Sequence, residues 1–188
     1  MTAQSPFFRQ MTPQTTQGGF AILHGTLAPE GCVARLEGFS DEAFDGPARV
    51  FASVAEAIAA IGRGRVRACD IIVIRHDDTM DAIFATDDTA AIATALSAHG
   101  LERVTVITDG RAGQGSATTA IIGNVAPSAA AGGAIAYIND DDIIHIDIAG
   151  RRIDVMADID IRRGQRKKKA AFAPADRYAT FVSQDPQS

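Results

Sequence analysis

Residues 70–75 read Asp70-Ile71-Ile72-Val73-Ile74-Arg75. Four consecutive apolar residues between two charged ones have the length of a strand and offer no polar face to solvent. Such a strand is buried on both sides, as in parallel sheets covered by helices. Arg103-Val-Thr-Val-Ile107 repeats the signal and runs into Thr108-Asp109-Gly110-Arg111. Between these two runs, residues 88–99 form an Ala-rich helix closed by Gly100. Upstream, Ser53-Val-Ala-Glu56 is a capping box, in which the Ser hydroxyl and the Glu carboxylate each satisfy an orphan helix N–H. That helix continues through Ile58 and Ile61 and stops near Gly62.

Further out, Phe20-Ala-Ile-Leu-His24 and Cys32-Val-Ala-Arg-Leu36 read as strands on either side of a Gly/Pro-containing turn. Downstream come Gly133-Ala-Ile-Ala-Tyr-Ile138, Asp142-Ile-Ile-His-Ile-Asp-Ile148 and Arg151-Arg-Ile-Asp-Val155. The last two alternate in polarity and are joined through Ala149-Gly150 as a hairpin. Strands mixed with a few helices predict one α/β or α+β unit. Residues 1–17, polar with two prolines, form a lead-in arm; residues 18–157 form the domain. Residues 158–188 form a helical segment packing on it, with a break near Pro174. Phe7 and Phe8 are the apolar exception in the arm.

The 188 residues are 46% hydrophobic and 22% charged, which excludes wholesale disorder. Two distant cysteines, Cys32 and Cys69, exclude a disulfide framework, a four-thiolate zinc site and a self-contained iron–sulfur site on ligand count. A net charge of −5 makes the chain a poor nucleic-acid binder, since phosphate neutralisation needs clustered Lys and Arg. The local exception, Arg162-Arg-Gly-Gln-Arg-Lys-Lys-Lys169, lacks interleaved aromatics for base stacking and reads as a solvated helix face or linker. Residues 112–138 carry no charge, but their Ala, Gly, Ser and Thr content, with Gln114, Asn124 and Pro127, does not make a membrane span. The first residues lack a basic region followed by an apolar stretch, so the expectation is a cytoplasmic protein with no signal peptide.

Several stretches in the same order carry a resemblance: Leu27-Ala-Pro-Glu-Gly31, Gly46-Pro-Ala-Arg-Val-Phe51, Asp70–Arg75, Thr108-Asp-Gly-Arg111, Pro127, Gly132-Gly133, residues 140–148 and Arg177-Tyr-Ala-Thr-Phe-Val-Ser183. From about Gly18 onward the chain resembles the C-terminal domain of the dihydroxy-acid dehydratase and phosphogluconate dehydratase family. The resemblance implies a swivelling-type β-barrel-like domain flanked by helices. It implies loss of water from a 2,3-dihydroxy acid or sugar acid to give a 2-keto acid. In that family an iron–sulfur cluster acts as Lewis acid and Mg²⁺ holds the substrate. The cluster cysteines and most metal ligands belong to a large N-terminal domain that is not part of this sequence.

The resemblance also marks departures. The family's serine, two residues beyond the Arg, whose alkoxide takes a proton from the substrate, falls on Gly113, with Ser116 nearby. A glycine cannot act as a base. The family's Mg²⁺-binding Glu falls on Ala82, with Asp81 as the neighbouring stand-in and Asp77 and Asp78 as further carboxylates. An exposed acidic loop is the simpler reading of that stretch. The family's His-Val-(Ser/Thr)-Pro-Glu becomes Asn124-Val-Ala-Pro-Ser128. Residues that shape turns are kept while residues that move protons or hold metal are changed.

Other candidates have plain readings. Asp140-Asp141-Asp142 lacks the alternating ligands and central Gly of a calcium loop and reads as a turn between strands. His24, His76, His99 and His145 are not paired at metal spacing and read as structural or surface groups. Thr108, Asp109, Gly110 and Arg111, with Gly113 and Gly115, form a Gly-rich loop after a buried strand. Such loops bind anions through backbone N–H groups, and Arg111 suits a carboxylate; the alternative reading is a strand-end turn in which Asp109 caps backbone N–H groups.

The sequence therefore predicts either a small-subunit-like dehydratase domain or a catalytically degenerate one that binds a small carboxylate. A separate dehydratase large chain would be its partner, and any iron–sulfur cluster would come from that chain. A second reading is a Mg²⁺-dependent hydro-lyase using Ser116, Asp81 and Arg111. A third is an interaction module using the basic run and Phe7/Phe8. A homodimer is compatible with all three.

Overall fold

The computed structural model describes residues 19–35, 43–75, 88–111 and 119–171. Eight strands form one sheet: β1 (Phe20–Leu23), β2 (Gly31–Arg35), β3 (Ala43–Phe51), β4 (Ile71–Ile74), β5 (Thr105–Thr108), β6 (Ile121–Ala126), β7 (Ile143–Asp147) and β8 (Arg152–Val155). Their spatial order is β1-β2-β6-β5-β4-β3-β7-β8. The central four, β3 to β6, are parallel, and antiparallel pairs flank them on both sides. The described residues also form three helices: α1 (Val54–Gly62), α2 (Asp88–Ala98) and α3 (Ile159–Ala171). No helix among the described residues is long and apolar enough to cross a membrane.

The apolar runs become the strands their composition requires. Every residue of β4 and β5 is buried. Alternation sends Ile72, Ile74, Val104 and Val106 toward α1 and α2, where they pack with Ala57, Ile61, Ile92 and Leu96. The other set, including Ile71, Val73 and Ile107, lies on the opposite face with Leu23, Ile122, Ile144 and Ile153 buried around it. Each of these aliphatic side chains contributes about 1.5–3 kcal/mol through burial. The capping box of α1 forms as read. Ser53 Oγ accepts from the Glu56 N–H at 3.2 Å, and Glu56 Oε2 accepts from the Ala52 N–H at 3.0 Å.

The sheet curls until its edges nearly meet. His24 bridges to Arg152, with the His24 N–H donating to the Arg151 carbonyl and the Ile153 N–H to the His24 carbonyl, both at 3.0 Å. Beyond that bridge a side chain takes over the ladder. Asp154 Oδ1 accepts from the Thr26 N–H at 2.8 Å, and Thr26 Oγ1 accepts from the Val155 N–H at 2.9 Å. Gly25 lies in the seam because a Cβ there would fall on the Ile153 carbonyl oxygen. The resulting nearly closed, barrel-like α/β sheet is the architecture that the resemblance implied.

β3 was not legible as a strand, because it changes partner midway. Ala43–Pro47 pairs with β7, and Ala48–Phe51 pairs with β4. Where β7 leaves off, the run Asp140-Asp141-Asp142 takes its place. The Ala48 N–H donates to the Asp142 carbonyl at 2.8 Å, and the Val50 N–H to Asp140 Oδ1 at 2.7 Å. Arg49 reaches outward from the same strand. Its Nε donates to Asp70 Oδ2 at 3.1 Å and its Nη1 to Asp141 Oδ1 at 2.7 Å. Burial alone would lower the pKa of this guanidinium, but Asp70 and Asp141 outweigh burial and raise it.

Two further segments differ in kind from regular strands. Within residues 133–138, Ala134–Tyr137 forms a buried 3-10 turn. The hairpin between β7 and β8 turns at residues 148–151, with the Gly150 N–H donating to Asp147 Oδ1 at 2.6 Å. By itself, α3 is a helix capped by Asp158, whose Oδ1 accepts from the Ile161 N–H at 2.9 Å. It carries the basic run of residues 162–169, so this run is helical rather than a linker.

Candidate functional site

Parallel strands β3 to β6 bring their carboxyl ends to one edge, and crevices outside such ends are where open α/β sheets bind ligands. Arg75 leaves β4 there, residues 108–111 leave β5, and residues 127–133 follow β6. Arg75 Nη1 donates to the carbonyls of Ala136 at 2.9 Å and Ile138 at 3.1 Å, so it ties the 3-10 turn to the edge.

The polar groups of this edge are largely engaged with backbone. Thr108 is buried, and its Oγ1 accepts from the Gly110 N–H at 3.1 Å. Asp109 Oδ2 accepts from the Ala129 N–H at 2.8 Å, joining the β5 loop to the β6 loop. The Gly110 carbonyl accepts from the Asn124 N–H at 2.7 Å. Ser128 Oγ accepts from the Ala131 N–H at 3.2 Å, and its carbonyl accepts from the Gly133 N–H at 2.8 Å. Gly133 approaches so closely that a Cβ would fall on the Pro127 carbonyl oxygen. Arg111 is exposed, with no side-chain partner among the described residues. It presents a planar fork of donors suited to a carboxylate.

The structure thus brings Thr108, Asp109, Gly110 and Arg111 together with the loop carrying Ser128. Gly113, Gly115 and Ser116 lie in residues 112–118, outside the described residues. So do Asp81, Asp77, Asp78 and Ala82 in residues 76–87, and Phe7 and Phe8 near the start of the chain. The acidic run 140–142 is a turn, as read, and it also clamps β3. Sequence reasoning missed two pairings: Asp109 with Ala129, twenty residues on, and His145 with Asp45, whose Nδ1 and Oδ1 lie 2.6 Å apart. The second pairing follows from the register of β3 against β7, where His145 faces Asp45. Two buried hydroxyls, Thr105 and Thr119, have no hydrogen-bond partner among the described residues.

The described residues do not fit an iron–sulfur cluster. Cys32 is buried, with its Sγ 3.6 Å from the Leu23 carbonyl, and burial pushes its pKa up to about 12. A metal-ligating cysteine must be a thiolate. Cys69 is exposed. No group of three or more His, Cys, Asp or Glu among the described residues is placed to hold a metal ion.

Comparison with known proteins adds to this geometry. The family described as dihydroxy-acid/6-phosphogluconate dehydratase C-terminal matches residues 8–187. A dihydroxy-acid dehydratase 2 from Corynebacterium efficiens is 42% identical over 151 residues, covering 80% of this chain and 26% of that protein. The dihydroxy-acid dehydratase of Leifsonia xyli is 41% identical over 165 residues, covering 88% and 29%. That of Pyrococcus furiosus is 37% identical over 178 residues, covering 91% and 32%. The chain therefore spans about a quarter to a third of the length of these relatives.

Proposed function

The chain belongs to the dihydroxy-acid/6-phosphogluconate dehydratase C-terminal family, and from that premise we propose that it is a carboxylate-binding dehydratase domain that does not turn over substrate by itself. Arg111 forks the carboxylate of a small hydroxy or keto acid at the carboxyl edge of the parallel strands. Proton removal and hydroxide departure belong to a separate cysteine-bearing large chain. In such an assembly this chain orients the acid and closes one wall of the site.

The observation that carries this reading is how the edge's polar groups are engaged. Thr108, Asp109 and Ser128 each hold a backbone N–H, while Arg111 is exposed and unpartnered among the described residues. A general base must come within about 3 Å of the proton it takes and be free to accept it. Gly113, in the position where the family resemblance places a serine, has no side chain to do so.

The test is an assay of the isolated chain with a 2,3-dihydroxy acid, with and without Mg²⁺, read by 2-keto acid formation. No product is expected. The 2-keto acid should bind in a calorimetric titration, and Arg111→Ala should abolish that binding. Mg²⁺-dependent turnover lost in Ser116→Ala would instead establish the hydro-lyase reading. Unchanged binding in Arg111→Ala would remove the site. Recovery of a cysteine-bearing dehydratase chain in stoichiometric amount from a native-lysate pull-down is the expected partner result, and recovery of this chain alone would overturn the partnership.

A further inference from the structure

A second cleft lies beside β3 and the connection from α1 to β4. It encloses about 290 Å³ and is lined by Arg49, Phe51, Gly64, Arg65, Arg67 and Asp140. Three of its six lining residues are arginines and one is a carboxylate. We propose that this cleft is a binding site for a small phosphate-bearing molecule, held between Arg65 and Arg67 with Arg49 beneath.

The chain builds this arrangement locally. Val66 is buried in the core shared by α1, α2 and the sheet, while its neighbours Arg65 and Arg67 are exposed. Their backbone is pinned on both sides of Val66. The Arg65 N–H donates to the Ala60 carbonyl at 3.0 Å, and the Arg67 N–H to Asp70 Oδ2 at 2.8 Å. The guanidinium groups of Arg65 and Arg67 have no partner among the described residues. Arg49 is fixed differently, through Nε on Asp70 and Nη1 on Asp141, which leaves its Nη2 without a partner among the described residues. Arg49, Arg65 and Arg67 therefore border a single space.

Charge and size set the class of ligand. The lining itself carries three arginines against Asp140, while Asp70 and Asp141, which hold Arg49, are not among its lining residues. One oxygen of Asp140 already accepts the Val50 N–H. Phosphate oxygens accept from several guanidinium groups at once, each with a charge-assisted bond. The volume lies at the small end of ligand pockets, about 300–1,000 Å³, which fits a small organic phosphate.

The test is a titration of the full chain with inorganic phosphate, followed by ³¹P NMR line broadening and calorimetry. Saturable binding that weakens with added NaCl is expected. The double variant Arg65→Ala/Arg67→Ala should lose about tenfold or more in affinity, equal to about 1.4 kcal/mol. Because neither guanidinium holds any described part of the chain, this variant should keep the parent circular dichroism spectrum. Asp140→Asn retains an acceptor for Val50 and removes the opposing charge, so it should tighten binding about threefold. Arg111→Ala should leave phosphate binding unchanged, which separates this cleft from the proposed carboxylate site. Absence of saturable binding, equal affinity in the double variant, or no gain in Asp140→Asn would each overturn the proposal.

Discussion

The carboxyl edge of β4 and β5 and the cleft beside β3 are both rich in charged and polar residues, yet the charges do different work. At the edge, Thr108, Asp109 and Ser128 each hold a backbone N–H, and Arg75 holds two carbonyls. At the cleft, Arg49 is engaged by two aspartates, while the guanidinium groups of Arg65 and Arg67 have no partner among the described residues. A motif read from sequence identifies residue types, and the edge carries the more recognisable motif. What a side chain is free to do depends on whether a backbone group already claims it. By that criterion Arg111 is the one free charge described at the edge, and the cleft holds two.

The comparison can be broken by variants on both sides. The largest effect is expected for Gly133→Ala, where the added Cβ meets the Pro127 carbonyl and overpacking costs about 3 kcal/mol in urea unfolding. Asp70→Ala follows. It removes a buried acceptor for Arg49 and the Arg67 N–H, and the loss should be about 2 kcal/mol. Asp141 is 74% exposed and serves as the internal control, with Asp141→Ala costing about 0.5 kcal/mol or less. Asp109→Ala should cost about 1 kcal/mol and speed hydrogen exchange at the Ala129 amide.

A pH titration adds an independent arm at the seam. Burial pushes the Asp154 carboxyl up, but the Thr26 amide and Arg152 outweigh it and hold the pKa below its ordinary 3.8. Its contribution to stability is therefore fully present above the unfolded value and is lost as pH falls through the lower folded value. Asp154→Asn should flatten the acid limb of the stability–pH curve, and an unchanged limb would show that the pair carries no linkage. The smallest effects belong to the free charges. Arg111→Ala and the Arg65/Arg67 double variant should each shift stability by about 0.5 kcal/mol or less, and a larger loss would mean that these side chains are engaged after all.

How far the fold was legible depended on how local each signal was. The continuous apolar runs of β4 and β5 and the Ser53–Glu56 capping box are complete within a few residues, and each forms as read. The β7–β8 hairpin is also local, and its alternation gives its burial. β3 escaped because no single alternation describes a strand that serves β7 for one half and β4 for the other. β6 escaped because Gly123 and Asn124 interrupt its apolar run. At the site, the run from Thr108 to Arg111 was visible as a motif. The bond from Asp109 to Ala129 was not, since nothing in either segment names its partner. Likewise, Arg65 and Arg67 look like ordinary surface charge until Arg49 and Asp140 arrive from other elements.

The seam at Gly25–Thr26 and Ile153–Val155 has a consequence in time as well as in space. Residues 43–126 carry the four parallel strands and their two helices as one continuous stretch of chain. The β7–β8 hairpin joins one edge of that block and β1–β2 joins the other, and only then do the outer strands meet. The bond from Thr26 to Asp154 spans 128 residues, so its closure entropy is met only after the intervening sheet has formed. Opening should reverse that order, with the Thr26 and Val155 amides exchanging before those of β4 and β5. The ring is therefore expected to close last and open first, and earlier exchange in β4 and β5 would refute that order.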